Sequence, residues 1–372
     1  MNKYILFAAV AMFILVSCAK ETVEQTVDYP ISFSAPVVGS MTKAPHTGKI
    51  VGPSYPKDEE LKVWAKYSDE DLAKWEDGIT YMNAVTCKYD SGKNGWIPVG
   101  YQYYWPKQGK LTFGVFSPAS APNVTYNEEG VTVTDYTVPE DGKHLDLMYG
   151  LREYNKTIGD QTPEPNNPAY SGIDIRLFHA LTSVKFKIKK DAEYSGTRLI
   201  LNSIKLHNVY SKGTFKETIE KQTGGSYADG CTRVPRWVDV SDERDFTYVE
   251  NSTQELTTES EGDDINKAND MLMIGQKYNH GTTEKPKYIS MTVTYTIISS
   301  TGVEIEQTHK VELKEFTHYM NMSNNKVVER IQDGWYPGYE YTYIIKIGLK
   351  KIDFEPIINE WTPIAENPEI TL

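Results

Sequence analysis

Apolar and polar residues alternate with a period of two along much of the chain, which is the pattern of strands with one buried and one solvated face. The alternation is clearest from Tyr339 to Leu349, where Tyr and Ile recur at every second position, and nearly as clear from Ile289 to Ile297. Shorter runs of the same kind occupy residues 31–34, 61–67, 111–116, 131–133, 173–177, 184–188 and 199–209. Short strands separated by turn residues predict an all-β protein built from β-sandwich domains.

Helical patterns are scarce in comparison. Minor short helices are expected only at Asp69–Trp75 and Tyr319–Gln332. The stretch Gly213–Glu261 is polar and turn-rich, and Asn155–Ser171 contains three prolines. The proline-rich stretch is the best candidate for a long loop or an inter-domain linker.

The N-terminus has a separate pattern, with Lys3 followed by an apolar run of 13 residues from Tyr4 to Val16. A bilayer-spanning helix needs roughly 18–20 such residues, so the run is the core of a signal peptide and the chain is exported. Cys18 directly follows the small residue Ser17, which resembles a bacterial lipobox, in which the cysteine carries lipid after cleavage. The alternative is an ordinary signal peptide with an incidental cysteine. In both cases residues 1–17 are excluded from the fold.

Size, charge and cysteine content narrow the class of protein. About 355 residues follow the signal peptide, more than one hydrophobic core usually serves, so two domains are expected. The net charge is −12 and no long basic cluster occurs, which argues against a nucleic-acid partner. Besides Cys18 there are only Cys87 and Cys231. An oxidising compartment would allow one bridge between them, but two separate thiols in different domains are the preferred interpretation.

The common catalytic and cofactor motifs are missing from the sequence. There is no nucleophile elbow, metalloprotease His pair, Gly-rich phosphate loop, CxxC pair or calcium loop, so no catalytic residue and no cofactor is assigned. His144 and Asp146 are a weak hint of a metal site, but solvated turn residues are the better interpretation and no metal ligand is assigned. His179 follows Phe178 in an apolar pattern and is expected to be hydrogen-bonded and partly buried.

Tryptophans raise the question of carbohydrate binding, because indole faces stack well on sugar rings. Four of them lie close together in sequence, at Trp64, Trp75, Trp96 and Trp105. Aromatic residues at strand positions are more often part of the core, so burial is the favoured interpretation. The 51 acidic residues include no recognisable glycosidase pair, and a hydrolase is the least favoured class.

The stretch Val37–Pro56 is rich in Gly, Pro, Ser and Thr and predicts a loop. It contains Lys43 followed by Ala44, and an exposed lysine in such a loop is a natural site for a trypsin-like protease. From the local sequence alone, an ordinary loop lysine is the favoured interpretation.

Five segments together resemble the fimbrillin-like family, in the order and over the span expected for it. The resemblance is spread from about residue 28 to residue 361, nearly the whole chain after the signal peptide, and the segments are Tyr104–Pro106, Leu111–Pro118, Asp146–Gly150, Leu177–Phe186 and Gly338–Trp361. The resemblance implies a subunit of the type V pili of Gram-negative anaerobes, with two β-sandwich domains of transthyretin-like topology. It also implies that the precursor reaches the outer membrane as a lipoprotein, through lipid such as palmitate on Cys18.

The resemblance further implies proteolytic activation. In that family a trypsin-like surface protease cuts after Arg or Lys, and Lys43–Ala44 falls at the expected place. Lys replaces the commoner Arg, so a protease strict for Arg would leave this chain uncut. The cut would release a lipidated propeptide whose strand contains Ile31 and Phe33, and a strand from another subunit would fill the groove. The segment Ile352–Ile358 could be such a donor strand, although its proline interrupts main-chain pairing.

The predicted organisation is a lipoprotein signal peptide at 1–17, a lipidated propeptide at 18–43, and β-sandwich domains at 44–172 and 173–372. The leading function is a structural pilus subunit (stalk, tip or accessory) that supports adhesion and joins the extracellular fimbrium after cleavage at Lys43. Its expected partners are other pilin subunits, the outer membrane, the protease and a host or bacterial surface receptor. The alternative is an outer-membrane surface lipoprotein, a pilus anchor or a glycan-binding protein, that retains its lipidated N-terminus.

Overall fold

The fold is seen in a computed structural model. It describes residues 25–34, 36–38, 55–140, 145–150, 152–161, 172–191, 197–221, 231–258, 263–265, 271–321, 327–348 and 352–360.

The regular secondary structure in these ranges is almost entirely β-strand, which confirms the all-β class. The strands are β1 Gln25–Pro30, β2 Val37–Val38, β3 Leu61–Ser68, β4 Ile79–Asp90, β5 Gly95–Pro98, β6 Tyr104–Pro106, β7 Lys110–Ser117, β8 Val124–Asn127, β9 Gly130–Thr137, β10 Met148–Gly150, β11 Glu153–Lys156, β12 Arg176–His179, β13 Thr182–Lys190, β14 Arg198–Lys221, β15 Cys231–Val249, β16 Asp263–Asp264, β17 Met271–Met273, β18 Gln276–Lys277, β19 Ser290–Ile298, β20 Glu304–Glu312, β21 Phe316–Asn321, β22 Val327–Gln332, β23 Gly334–Trp335, β24 Tyr339–Ile347 and β25 Ile352–Glu360.

Helix is limited, in the described residues, to two short pieces. One is a 3-10 turn at Trp75–Asp77 and the other is α1 at Ile158–Gln161. The helix expected at Asp69–Trp75 is wrong, because the 3-10 turn begins only at its last residue. The helix α1 lies inside the predicted linker Asn155–Ser171. Within these same ranges, no helix is both long and apolar enough to cross a membrane.

The helix expected at Tyr319–Gln332 is wrong. β21 and β22 form an antiparallel pair there, with Tyr319 opposite Glu329. The β-branched residues Val328 and Ile331 fit an extended backbone better than a helix, because their χ1 freedom is restricted in a helix.

The first sheet has the strand order β2-β12-β10-β7-β3-β4-β5, and β11 also pairs with β7. Its centre is antiparallel, with Val63 of β3 opposite Val85 of β4 and Val115 of β7. Both Val63 and Val115 are fully buried. β2 and β5 are the two ends of this order.

Two further sheets face each other and form a sandwich. One has the order β20-β19-β14-β9-β8 with β15 beside β14, and the other has β16-β13-β24-β25 with β17 beside β13. Phe186 of β13 lies opposite Tyr343 of the parallel neighbour β24, and their rings stack 5.5 Å apart. The ring of Phe186 also contacts that of Tyr248 on β15, 4.8 Å away edge to face. These contacts belong to the larger hydrophobic core.

Main-chain pairing crosses the predicted domain boundary at residue 172 in both directions. β9 pairs with β14, with Tyr136 opposite Gly213, while β12 lies inside the first sheet next to β10. The two predicted domains therefore share hydrogen-bonded strands as well as apolar contacts. The boundary and the transthyretin-like topology stay predictions.

Candidate functional site

The N-terminal segment, which consists of Pro30–Ser34 and Pro36–Val38, is built into the hydrophobic core of the first sheet. The side chains of Ile31 and Phe33 are completely buried, and Val38 is 1% exposed. Ser32 and Ser34 are only partly buried, so the segment keeps the apolar–polar alternation of a strand. The Phe33 ring meets the Phe113 ring edge to face at 5.4 Å, a favourable geometry for aromatic pairs.

One side of the N-terminal segment pairs with β5 and with the chain just before β6. The N–H of Phe33 donates to the carbonyl of Trp96 at 2.9 Å, and the N–H of Trp96 returns the bond at 2.8 Å. The N–H of Ile31 donates to the carbonyl of Tyr103 at 2.8 Å. Pro30 lies opposite Tyr104 in the β1–β6 pair. This side is therefore antiparallel strand pairing.

The other side pairs with the chain that leads into β12. The N–H of Ser34 donates to the carbonyl of Ile173 at 2.9 Å, and the N–H of Ile173 donates to the carbonyl of Ser32 at 2.9 Å. Further along, β2 runs parallel to β12, with Val38 opposite Leu177. β5 is one end of the first sheet, and β12 is the last strand before β2, which itself belongs to the N-terminal segment. The segment therefore bridges the two edges of the sheet.

Gln161, at the end of α1, holds the N-terminal segment from a third direction. Its side-chain nitrogen donates to the carbonyl of Pro30 at 2.7 Å, and its side-chain oxygen accepts from the N–H of Ser32 at 3.0 Å. The same oxygen accepts from the indole N–H of Trp105 at 2.6 Å. One amide side chain therefore satisfies two main-chain groups of the segment and a buried indole.

Gly172 shows how closely the segment fits. Its φ is +125°, a conformation that side chains other than glycine rarely adopt. A Cβ at this position would lie 2.2 Å from the carbonyl oxygen of Ser32. Only glycine lets the chain before β12 approach the N-terminal segment closely enough to bond with it.

The surroundings of the segment are mainly apolar, although the carboxylate of Asp174 accepts from the hydroxyl of Ser34 at 2.9 Å at the partly exposed end of the segment. The Cys87 thiol is free and buried, and burial raises its pKa well above the ordinary value of 9. Burial also raises the pKa of Tyr55 well above 10, although a hydrogen bond with Ser117, 2.6 Å long, acts in the opposite direction. Such surroundings suit apolar side chains and a hydrogen-bonding backbone, and they are poorly suited to a charged ligand.

The predicted site residues fall into two groups. Ile31 and Phe33 lie in the N-terminal segment, whereas Cys18, Lys43 and Ala44 lie outside the described residues. Val38 and Tyr55 are the nearest described positions on either side of Lys43. The carbonyl of Pro36 accepts from the N–H of Tyr55 at 3.4 Å. The described positions before and after Lys43 are therefore neighbours in the fold.

The four tryptophans weighed for sugar stacking are all buried: Trp64 and Trp75 are 5% and 6% exposed, and Trp96 and Trp105 are fully covered. They form part of the core and offer no exposed stacking surface.

The expectation of a solvated turn residue is wrong for Asp146, which is 4% exposed and pairs with His179. His179 is fully buried and its Nδ1 lies 2.9 Å from a carboxylate oxygen of Asp146. His144 lies outside the described residues. In the parts of the chain that the structure describes, no cluster of three or more His, Cys, Asp or Glu side chains could hold a metal ion.

Two residues at the site, Gln161 and Gly172, carried no sequence signal of their role. Gln161 is the last residue of the short polar helix α1, and Gly172 directly follows the Pro-rich stretch. Their importance depends on long-range contacts with residues 30–34, more than 120 positions away.

Comparison with known proteins gives one family and a set of distant structures. The fimbrillin-like family model matches residues 51–361. A fimbrial protein of Bacteroides vulgatus ATCC 8482 is 16% identical, with a TM-score of 0.49 over 90% of this chain and 99% of that one. The tip fimbrial protein Mfa3 of Porphyromonas gingivalis, with a C-terminal truncation, is 12% identical, with a TM-score of 0.41 over 89% and 100%. No curated protein matches the sequence.

Proposed function

The chain belongs to the fimbrillin-like family, and on that premise we propose that it is a structural subunit of a type V-like pilus. It is exported as a lipoprotein through Cys18, cut after Lys43, and polymerised by donor-strand exchange. The family consists of fimbrial structural proteins rather than enzymes, so assembly rather than catalysis is the expected activity. The extracellular fimbrium is the place where such a subunit works.

The single observation that carries this proposal is the double pairing of Phe33, with Trp96 on one side and Ile173 on the other. A strand in this position is central, not peripheral. Its loss would leave two unpaired strand edges and an apolar groove at the same place, which is a template for an added strand.

The energetics favour replacement over an empty groove. Burying a Phe or Ile side chain stabilises by about 1.5–3 kcal/mol each, and unpaired buried main-chain groups cost about 1–3 kcal/mol each. A second strand with apolar residues two positions apart would restore both contributions. No nucleotide or other energy source is required for that exchange.

The candidate donor strand within this chain is β25. β25 pairs with β24 along its whole length, from Tyr339 opposite Glu360 to Ile347 opposite Ile352. To serve as a donor it would have to leave β24, and Pro356 would contribute no N–H in its new place. This pairing favours, as second candidate, a tip, accessory or anchor subunit that accepts a strand or keeps its own.

The experiment is cleavage of the purified, lipid-free chain with a trypsin-like protease, followed by size analysis. Complete cutting at Lys43–Ala44 is expected to convert the uncut chain into polymers or into complexes with a donor subunit. Lys43→Gln is expected to stay uncut at this bond and to form no polymers. Lys49→Gln, in the same stretch of sequence, is the matched control and is expected to behave as wild type.

Three results would separate the candidates. A chain that forms no polymers and no complexes after complete cleavage, with partner subunits present, would overturn the pilus-subunit proposal. N-terminal sequencing of the protein from cells distinguishes the rest: Ala44 indicates a processed pilin, and lipidated Cys18 indicates an anchor or a binding lipoprotein. Glycan-array binding by the lipidated form would favour the binding lipoprotein.

A further inference from the structure

β20 is an edge strand with unusual exposure. Among the described strands it pairs only with β19, which has β14 as its second neighbour. Side chains at alternate positions of β20 are exposed or partly exposed on both faces, and Ile305 is 50% exposed. A nine-residue strand with an open edge and an uncovered apolar side chain is a site for strand pairing.

The direction of the free main-chain groups of β20 follows from the ends of the β19–β20 hairpin. The N–H of Ser299 donates to the carbonyl of Val303, and the N–H of Leu313 donates to the carbonyl of Ile289, both at 2.9 Å. The register between these points has no shift. Hydrogen-bonded and non-hydrogen-bonded pairs alternate along antiparallel strands, so odd-numbered residues of β20 face β19. The even-numbered residues therefore point their N–H and C=O groups to the open edge.

We propose that this edge pairs with the same edge of a second copy of the chain, antiparallel, about a two-fold axis at Thr308. In this register residue i lies opposite the residue numbered 616 − i of the other copy. Glu306 then faces Lys310, and Ile305 faces Val311, in each half of the interface. Even-numbered residues face even-numbered ones, which is what the open main-chain groups require.

The pairs near the centre of the strand favour this occupant over an unrelated peptide, although the two Glu304–Glu312 pairs at the ends offset part of that gain. The two-fold places the opposite charges of Glu306 and Lys310 together twice, and the apolar pair of Ile305 and Val311 together twice. It also pairs all nine residues of β20. The exception lies at the ends, where Glu304 faces Glu312. A strand that complements itself in this way forms an isologous interface, which is closed and limits assembly to pairs.

The side chains of β20 are ordered by contacts within the sheet. Glu306 is held by the side-chain nitrogen of Asn202 at 3.0 Å, and Thr308 bonds to Thr294 at 3.1 Å on the same face. On the other face the ring of His309 stacks on Tyr295 at 5.8 Å. These contacts reach inward to β14 and β19, and the carboxylate of Glu306 keeps acceptor capacity for Lys310 of the second copy. The pairing is lateral and separate from the N-terminal segment, so it does not depend on cleavage at Lys43.

The test is sedimentation equilibrium of the uncut, lipid-free chain over a range of concentrations. Wild type is expected to dimerise. Glu306→Lys and Lys310→Glu should each weaken dimerisation by about tenfold, because two attractive cross-strand pairs become repulsive. The double variant restores opposite charges and is expected to dimerise as wild type. A mixture of the two single variants should form heterodimers, since every pair between them is again attractive.

Glu304→Lys is the matched control for net charge. It changes the charge of the chain by the same amount as Glu306→Lys, two positions away on the same face, but it relieves the Glu304–Glu312 repulsion. It is expected to strengthen dimerisation, whereas Glu306→Lys weakens it. A wild type that stays monomeric up to about 1 mM would overturn the proposal. So would equal effects of the two Glu→Lys variants, or no rescue in the double variant. Thermal melts of each variant check that the fold is intact.

Discussion

Phe33 and Trp96 are joined by a reciprocal pair of main-chain hydrogen bonds, 2.9 Å and 2.8 Å long, and both side chains are fully buried. The same two residues thus connect strand pairing to the apolar core. Since Phe33 also bridges Ile173, the N-terminal segment is held along both its edges. Such a segment leaves or stays as a unit, which is what an exchangeable strand requires.

Phe33→Ala is expected to lower the free energy of unfolding of the uncut chain by about 3–5 kcal/mol, because it empties an aromatic-sized site in a packed core. Chemical denaturation measures the change. Tyr29→Ala, four positions earlier, is the control, since Tyr29 is 48% exposed and its loss should have little effect. A loss below 1 kcal/mol for Phe33→Ala would show that the segment is not part of the core.

Gly172→Ala is expected to loosen the N-terminal segment specifically. The new Cβ would clash with the Ser32 carbonyl, and the positive φ adds strain of about 1–3 kcal/mol. Hydrogen exchange at Ile31–Ser34 should accelerate. Gly100→Ala is the control, because Gly100 also has a positive φ, of +85°, but nothing within 4 Å of its Cβ position. Unchanged exchange in Gly172→Ala would contradict the close fit.

Local periodicity predicted strands well and their partners poorly. The alternation at 289–297 corresponds to β19, and that at 339–349 to β24. Local periodicity could not predict which strands pair with each other. The parallel pairing of β13 with β24 and the two-sided pairing of Phe33 join residues that are far apart in sequence. The polar, turn-rich stretch after Gly213 forms much of the β14–β15 hairpin, where cross-strand hydrogen bonds hold residues that no apolar alternation marks as strand.

At the site, sequence reasoning identified the strand residues Ile31 and Phe33 by their alternation, but not the residues that hold them. An amide such as Gln161 and a glycine such as Gly172 are common in loops, and only the folded chain places them against the segment. Cys18 and Lys43 were predicted from local motif and resemblance, and they stay predictions.

The free energy of unfolding of the sandwich that contains β14 and β24 is expected to fall as the pH drops below about 6.5. Burial lowers the pKa of His280 below its ordinary value of 6.5, although Glu243 acts in the opposite direction. The unfolded chain therefore takes up this proton more readily than the folded one, so the stabilisation present above pH 6.5 is lost as the pH falls through the folded pKa. Urea midpoints at pH 7.5 and 5.5 measure the loss.

His280→Phe should reduce this pH dependence while keeping the ring stack on Tyr210, whose centroid lies 3.9 Å from that of His280. Glu243 contributes at lower pH, because the hydrogen bond from Lys287 lowers its pKa below 4.5. An unchanged slope between pH 7.5 and 5.5 in His280→Phe would exclude His280 as the group responsible.

Cleavage at Lys43 is expected to make the groove exchangeable without emptying it. In the uncut chain the N-terminal segment is tethered, so a competing strand meets an effective concentration in the millimolar range. After the cut, dissociation of residues 18–43 becomes irreversible on dilution. A labelled peptide of residues 25–38 should therefore enter the cut chain and not the uncut chain, as followed by fluorescence anisotropy.

The same peptide with Phe33→Asp is the control and should enter neither chain, because a charge would be buried without a partner. Equal uptake by cut and uncut chains would mean that the tether at Lys43 does not control access to the groove.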